Sequence, residues 1–289
     1  MNKKILVLAA AAMSGVAAVV VWAGGAVGTD DSGGAEGSRA AGERAKERQS
    51  EEDRFRSRSM PIQQYLPTRS DELLFRAAKK TLIEQCMIRR GVKGFELPEP
   101  QADMQSPLER RYGLSISAEA REYGYDLPPS KDPGRLQPKL SLSKQQNLLF
   151  FGAPTGGDGG CVGEAGRKIG IPKTPVASKI QIESWQRSMK DPRVESAFRR
   201  WSACMEKSGF TFANPMDTPG RAKTSAAERK TLAGAEVACN YSSGVLFTWL
   251  TADSELQEKS ISEHGTALQA ERREVQAAVA RAKRATTPR

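Results

Sequence analysis

The chain is poor in the residues from which catalytic and metal sites are usually built. Histidine occurs once in 289 residues, as His264, with Glu263 before it and Gly265 after it. Because metal sites need several His or Cys ligands at short spacing, neither a metal nor another cofactor is expected. The Gly-x-Ser-x-Gly and His-Glu-x-x-His patterns of common hydrolases are also missing. The less favoured alternative is a hydrolase of cell-wall material that uses a pair of carboxylates, since such partners need not be close in sequence.

Aromatic residues are scarce as well, at 6% of the chain, and hydrophobic residues reach only 38%. This composition, with 27% charged residues, predicts a thin core and exposed helices joined by polar loops. The formal net charge is +10, which favours contact with anionic envelope polymers or lipid headgroups. Net charge alone indicates non-specific association, so no specific nucleic-acid site is predicted.

The N-terminus, residues 1–28, is predicted to be a signal peptide or a transmembrane anchor. Lys3 and Lys4 precede an uncharged run from Ile5 to Gly28, which as a helix is long enough to cross ~30 Å of hydrocarbon. The run ends in small residues of the kind that a signal peptidase prefers, so cleavage and retention both stay open. If it is uncleaved, residues 5–27 hold the chain in the membrane.

The charges around this run predict its orientation. Lysines lie before it and Asp30 and Asp31 after it, so the positive-inside bias leaves the rest of the chain outside. The predicted location is extracytoplasmic, either as a single-pass protein of the cell membrane or secreted. Because no cysteine lies near the end of the run, an N-terminal lipid is not expected.

Behind the leader, residues 29–69 are first rich in Gly, Ser and Ala and then densely charged with both signs. So few apolar side chains predict a disordered linker, because little burial offsets the chain entropy. Two helical units are expected after it. The first, residues 70–175, is loop-rich, and the second, residues 176–289, has long C-terminal helices.

Four cysteines occur in the chain: Cys86, Cys161, Cys204 and Cys239. An even number in an exported chain favours two disulfides over free thiols, and the spacing fits neither zinc nor a Cys-x-x-Cys redox site. Three pairings are possible. The simplest joins Cys86 to Cys161 and Cys204 to Cys239.

The first cysteine of each pair lies in the same local pattern, Cys-Met-x-x-x-Gly, which ends in Gly91 and in Gly209. Apolar residues recur upstream at helical spacing, and each glycine falls where a residue with positive φ would end a helix. Cys86 and Cys204 are therefore predicted in the last turns of two helices. The repeat suggests a duplicated helical hairpin as the unit of the fold.

The tyrosines near residue 120 have two interpretations. Tyr112, Tyr123 and Tyr125 lie close to arginines, which suits exposed contacts to carbohydrate or peptide, but they equally suit the anchoring of a loop. In the C-terminal part, Ser225 can begin one helix and a second should start at about Ala252.

The last predicted helix carries a narrow apolar stripe at every seventh residue: Ile261, Leu268, Val275 and Ala282. This spacing suits packing on the preceding helix or on a partner. The chain then ends in a basic cluster made of Arg281, Lys283, Arg284 and Arg289. The cluster is either a contact to an anionic surface or a solvated helix end, where cations are favoured.

Three stretches carry a resemblance: 82–95 with Cys-Met-x-x-x-Gly, 201–210 with Trp-x-x-Cys-Met-x-x-x-Gly-Phe, and 235–250 with Ala-x-x-x-Cys before a Trp. Together they resemble an uncharacterised, lipoprotein-like family of secreted or membrane-anchored actinobacterial proteins with four cysteines. The resemblance implies an exported, helical, disulfide-linked architecture and no particular activity. This chain departs from the lipoprotein members in lacking the lipid-acceptor cysteine.

These observations predict a mainly α fold, in which disulfide-linked helical hairpins form a small bundle with long C-terminal helices, preceded by an N-terminal membrane or signal helix. The favoured function is a non-enzymatic envelope protein that binds a partner or has a structural role. Its expected partners are anionic envelope polymers, lipid headgroups or another envelope protein.

Overall fold

The structure is a computed structural model that describes residues 32–100, 108–129, 140–153, 159–170, 172–218 and 225–287. The predicted leader, residues 1–28, and Arg289 lie outside these ranges. Contacts divide the chain into two units. In the first, Met1–Ala45, the described residues are helical, and the second, Lys46–Arg289, holds the remaining elements.

The described residues are mainly helical, as predicted, with ten α-helices and no β-strand. In chain order they are α1 (Ser32–Arg56), α2 (Arg69–Arg89), α3 (Ser117–Tyr123), α4 (Lys144–Phe151), α5 (Gly160–Ile169), α6 (Pro175–Ser188), α7 (Pro192–Lys207), α8 (Ala226–Ser242), α9 (Val245–Glu263) and α10 (Gly265–Thr286). Two short 3₁₀ helices lie at Pro61–Tyr65 and Pro215–Asp217. None of the helices in these ranges is both long enough and apolar enough to cross a bilayer.

Side-chain caps explain where several helices begin. At the start of α8, the Ser225 hydroxyl accepts a hydrogen bond from the Glu228 backbone N–H at 3.2 Å, and the Glu228 carboxylate accepts one from the Ser225 N–H at 2.8 Å. This capping box satisfies two backbone donors that have no partner within the helix. The predicted helix start at Ser225 is confirmed.

The predicted disordered linker, residues 29–69, is wrong over the part that the structure describes. Helix α1 continues to Arg56, and Phe55, Met60 and Ile62 are at most 2% exposed. Phe55 meets the ring of Phe247 edge-on at 5.5 Å, and the Ile62 N–H donates to the Gln257 side chain at 3.2 Å. The average composition of this stretch is polar, but its few apolar residues lie where they are buried against α9.

The largest core is built around tryptophans. Trp201 and Trp249 are fully buried, and Trp185 stacks on Trp249 with ring centroids 5.7 Å apart. Phe198 meets Trp249 edge-on at 5.0 Å. These contacts hold α6, α7 and α9 together, since buried aromatic pairs add to the burial of apolar area.

Both predicted disulfides are confirmed. Cys86 pairs with Cys161 and Cys204 pairs with Cys239, and the Cα atoms of each pair are 5.6 Å apart. Cys86 lies in the last turn of α2 and Cys204 in the last turn of α7, as expected.

The two glycines end their helices in the same way. Gly91 has φ 90° and Gly209 has φ 85°, a region that glycine enters without steric cost. In each case the next N–H donates to the methionine carbonyl five residues before it: Val92 to Met87 at 3.0 Å and Phe210 to Met205 at 2.9 Å. This 6→1 bond is the Schellman motif.

The repeat does not extend to a duplicated hairpin. Cys161 lies in the first turn of α5, whereas Cys239 lies in the last turn of α8. The first disulfide therefore joins a C-terminal helix end to an N-terminal one, and the second joins two C-terminal ends. The shared local sequence determines how α2 and α7 end. It does not determine how the helix at the other end of each disulfide is oriented.

The breaks between the C-terminal helices differ from the prediction of a second helix from about Ala252. Helix α8 ends at Ser242, and Gly244, with φ 70°, separates it from α9. A second break falls at His264, which is exposed between α9 and α10. The spacing of the apolar residues does not reveal either break. The helices on both sides of each break have a buried apolar face, so the helical pattern continues across it.

The apolar stripe is split by the His264 break, with Ile261 on α9 and its other three members buried on α10. The later part of α10 does not depend on the preceding helix for its packing. Ala278 and Ala282 share a buried cluster with Phe75 and Ala78 of α2 and with Ile169 of α5. Alanine suits this contact because a small side chain lets neighbouring helices approach closely.

Candidate functional site

A groove of about 860 Å³ opens between the ends of α2, α5 and α10. Its lining combines three cations, three threonines, a glutamine and three apolar residues: Arg89, Lys168, Arg284, Thr81, Thr286, Thr287, Gln85, Leu82, Ile88 and Ala285. We call it the basic groove. Ile88 is 51% exposed within it, so the groove offers cationic and apolar side chains together.

Local spacing explains how α2 and α5 contribute to the groove. Cys161, Glu164 and Lys168 follow one another at three and four residues, which places them on one face of α5. On α2, Arg89 lies three residues after Cys86 and therefore on the same side as the disulfide. The Cys86–Cys161 bond thus holds the two faces together next to the groove.

Helix α10 is fixed to the same place by Arg281. Its Nε donates to the Ile169 carbonyl at 2.7 Å and its Nη2 to the Gly170 carbonyl at 3.1 Å. These are the carbonyls that the end of α5 leaves without a helical partner. Arg284 follows three residues later on the same face and so reaches the basic groove.

One carboxylate lies among the cations. Glu164 accepts from Arg89 Nη2 at 2.7 Å and from Lys168 Nζ at 2.8 Å, and Arg90 Nη2 lies 3.8 Å from it. The hydrogen bond from Lys168 lowers the pKa of Glu164, and the attraction of all three cations acts in the same direction. Glu164 is therefore ionised at neutral pH, and these four residues keep an excess of two positive charges before Arg284 is added.

The predicted basic cluster at the C-terminus is divided by the structure. Arg281 is partly buried and bonded to α5, Arg284 lines the basic groove, and Lys283 is exposed. Arg289 lies outside the described residues. An anionic contact of Lys283, Arg284 and Arg289 stays a prediction.

The interior holds carboxylates of a different kind, of which Asp253 is the most buried. Its Oδ2 accepts from Tyr112 Oη at 2.6 Å and from Arg111 Nη2 at 2.7 Å, and its Oδ1 accepts from Gln257 Nε2 at 3.0 Å. Asp253 is 0% exposed. Burial and the neighbouring carboxylate both raise the pKa of Tyr112, so the tyrosine stays protonated and serves as a donor.

Glu236 has a comparable environment beside the loop after Arg111. Its Oε1 accepts from the Leu114 N–H at 2.9 Å and its Oε2 from Tyr125 Oη at 2.6 Å. Burial raises the pKa of Glu236 in spite of these bonds. Tyr112 and Tyr125 thus anchor the loop, which was one of the two interpretations of the tyrosines.

Two carboxylate pairs among the described residues border surface depressions, and neither has the surroundings that a glycosidase site needs. Glu255 and Glu258 border a depression of about 320 Å³, but Arg193 Nη2 lies 2.5 Å from Glu255 Oε2, and its hydrogen bond lowers the pKa of Glu255. A general acid needs a raised pKa. Glu109 and Glu119 border a cavity of about 10 Å³, which has room for about one water molecule.

Neither an acylating site nor a metal site has support among the described residues. Ser141 and Lys144 have the Ser-x-x-Lys spacing of acylating enzymes, but both are exposed at the start of α4. Within the described ranges, no three His, Cys, Asp or Glu side chains form a group suited to a metal ion.

The sequence pattern indicates Arg284 as a candidate contact, but it does not indicate Arg89 and Lys168, which line the groove with it. Arg89 and Lys168 each lie in the last turn of a helix that ends in a glycine, and a cation in that position is a recognisable signal. The buried group of Asp253, Arg111 and Tyr112 has no comparable signal, because its members are up to 142 residues apart.

No protein-family model, curated protein or solved structure matches the chain. The resemblance to an uncharacterised actinobacterial family therefore stays a prediction.

Proposed function

We propose that the protein is a non-enzymatic, extracytoplasmic envelope protein that binds a partner, and that the basic groove is its contact surface for an anionic one. The observation that supports this proposal is the convergence of Arg89, Lys168 and Arg284 on one groove. Like charges held close together repel, and an anion relieves that repulsion while accepting charge-assisted hydrogen bonds. Arginine suits phosphate and carboxylate groups in particular, because its donors form a planar fork.

The buried carboxylates form hydrogen bonds within the fold, and this supports a binding role over a hydrolytic one. Asp253 and Glu236 are bonded within the fold, and Glu271 caps the first turn of α6 through the Val176 and Ala177 N–H groups at 2.7 and 3.0 Å. Groups used in this way hold helices and loops in place.

The location is proposed from the covalent structure and the leader. Two disulfides are consistent with an extracytoplasmic location. If the leader is kept, residues 5–27 make the protein a single-pass protein of the cell membrane with its N-terminus inside, and if it is cleaved the protein is secreted.

Titration of the full chain with fluorescent polyphosphate tests this function. We expect the affinity to fall as salt rises, and we expect Arg89→Gln combined with Arg284→Gln to weaken binding by about tenfold, at about 0.7 kcal/mol per lost contact. The matched control is Arg272→Gln with Arg273→Gln, which removes the same charge from an earlier part of α10.

The control should change the affinity by less than about twofold, because long-range charge effects are screened at physiological salt. Equal losses in both double variants would show that only net charge matters. An affinity that does not respond to salt would contradict the proposed function.

A further inference from the structure

The floor of the basic groove is apolar. Leu82 of α2 and Ala285 of α10 line the groove, and both are partly buried against the apolar cluster that joins α2, α5 and α10. Leu82 also packs against a second buried cluster, which contains Cys86 and Cys161. The apolar part of the groove is therefore continuous with two regions of the core.

Ile88 extends this floor towards solvent. It lines the same groove six residues after Leu82 on α2, about 9 Å further along the helix axis, and it is 51% exposed. Arg89 follows Ile88 directly in the sequence, and Arg284 directly precedes Ala285. All four of these residues line the groove, so its cations lie next to its apolar side chains.

The threonines of the groove add little hydrogen-bond donation. Thr81 Oγ1 donates to the Ala77 carbonyl at 3.2 Å, and the hydroxyls of Thr286 and Thr287 both donate to the Lys283 carbonyl, at 3.0 and 2.9 Å. Because these hydrogens are used within the helices, the hydroxyls are left as acceptors. The donors that remain for a ligand come mainly from the cations, which suits an anionic group.

A ligand that matches the whole groove carries both an anionic group and an apolar chain. A water-soluble polyanion would pair with the cations and leave Ile88 in water. A flat bilayer surface would not reach Leu82 and Ala285 at the floor of a groove, whereas a single chain would. The volume of about 860 Å³ lies within the range of roughly 300–1,000 Å³ that is usual for small-molecule sites.

We infer that the basic groove binds single molecules of an anionic amphiphile, an alkyl phosphate in chemical class. The phosphate lies among Arg89, Lys168 and Arg284, and the alkyl chain lies along Ile88 and Leu82. This inference rests on the proposed function and names the chemical class of its partner. The cations and the apolar floor contribute separately, the first through charge-assisted hydrogen bonds and the second through burial of the chain.

The test is photochemical labelling of the full chain with an octyl phosphate that carries a diazirine at the end of its chain. The probe is kept below the concentration at which it forms micelles, and the labelled residues are located by mass spectrometry. We expect the label on residues 81–88 of α2 and 284–287 of α10. The corresponding uncharged alcohol is the matched control probe and should label these residues about tenfold less, because it lacks the contacts to the cations.

One substitution tests the apolar floor. Ile88→Gln keeps the charge of the groove and should lower labelling by about threefold to fivefold, because it removes apolar contact with the chain. It should affect polyphosphate binding less, since polyphosphate has no apolar chain. Ile182→Gln, at a residue 55% exposed on α6, is the matched control and should leave labelling of the groove unchanged. Equal effects of Ile88→Gln on both ligands would overturn the placement of the chain.

The cations are tested by Arg89→Gln with Arg284→Gln, which should weaken labelling and polyphosphate binding together, each by about tenfold. Equal labelling by the phosphate and alcohol probes would overturn the inference. Labelling that spares the groove, with polyphosphate binding still dependent on Arg89 and Arg284, would also overturn it and leave the proposed function standing with a water-soluble polyanion as partner. If neither ligand depends on the two arginines, the proposed function is rejected as well.

Discussion

The buried group around Asp253 and the basic groove differ in how their charges are paired and in how far they reach water. At Asp253, a fully buried carboxylate receives hydrogen bonds from Arg111, Tyr112 and Gln257. At the groove, several exposed cations share one carboxylate, Glu164. The first arrangement compensates a charge that cannot reach water, and the second keeps positive charge available to a partner.

Charged residues of the first kind stabilise the fold, and those of the second kind are accessible to a partner. A buried ion is costly unless it is paired, so removal of one partner leaves a large penalty on the other. An exposed ion pair contributes little because water and salt compete with it. Substitutions in the two regions should therefore affect different measurements.

The largest effect is expected at Asp253. Asp253→Ala leaves Arg111 and Tyr112 without their acceptor and should lower the free energy of unfolding by ~3–5 kcal/mol. Glu164→Ala, at a carboxylate 25% exposed, should lower it by less than ~1 kcal/mol. Urea unfolding of both variants measures these changes. Equal losses in the free energy of unfolding would contradict the distinction between the two regions.

The disulfides come next. Each should contribute ~4 kcal/mol by restricting the unfolded chain, for loops of 75 and 35 residues. Cys86→Ser with Cys161→Ser should also abolish polyphosphate binding, because it releases α2 from α5 at the groove. Cys204→Ser with Cys239→Ser should keep binding at temperatures where the variant is folded, and loss of binding there would contradict the assignment of the groove.

The ends of the disulfide helices could be predicted from the sequence, whereas the groove could not. Cys86, Gly91, Cys204 and Gly209 lie in local patterns, and a Schellman motif depends on a few consecutive residues. The groove depends on Arg89, Lys168 and Arg284 meeting from distant positions. No local rule brings them together, so the sequence predicts their charge but not their convergence.

In residues 29–69, the composition of the sequence gives a wrong prediction of the structure. The composition predicts disorder, yet Phe55 and Ile62 are buried in the main core. A few apolar side chains can order such a stretch if they pack on an apolar surface, which here is α9. The composition of the stretch carries no information about that surface. The break at Gly244 was missed for a related reason, because apolar residues on either side of it are buried in the same core.

A smaller effect is expected from pH, through Glu236. Burial raises the pKa of Glu236 in the folded protein, so as pH rises above the ordinary value of ~4.3 the unfolded chain loses this proton first. The free energy of unfolding should fall between that pH and the raised pKa. The difference in stability between the natural protein and Glu236→Gln, measured by urea unfolding from pH 4 to pH 8, should change over this window, and a constant difference would refute the prediction.

The smallest effect concerns binding alone. Glu164→Ala removes the carboxylate that competes with a ligand for Arg89 and Lys168, and it should tighten polyphosphate binding by about twofold to fivefold. Glu183→Ala, on an exposed pair with Lys179 on α6, removes the same charge away from the groove. Equal tightening in both would attribute the effect to net charge.

The proposed function requires that the basic groove, and not the overall positive charge, binds the anionic partner. The most direct measurement is the dissociation constant for polyphosphate of Arg89→Gln/Arg284→Gln beside that of Arg272→Gln/Arg273→Gln, in the same buffer and with both proteins folded. We predict a loss of about tenfold in the first variant and less than about twofold in the second. Equal dissociation constants in the two variants would contradict it.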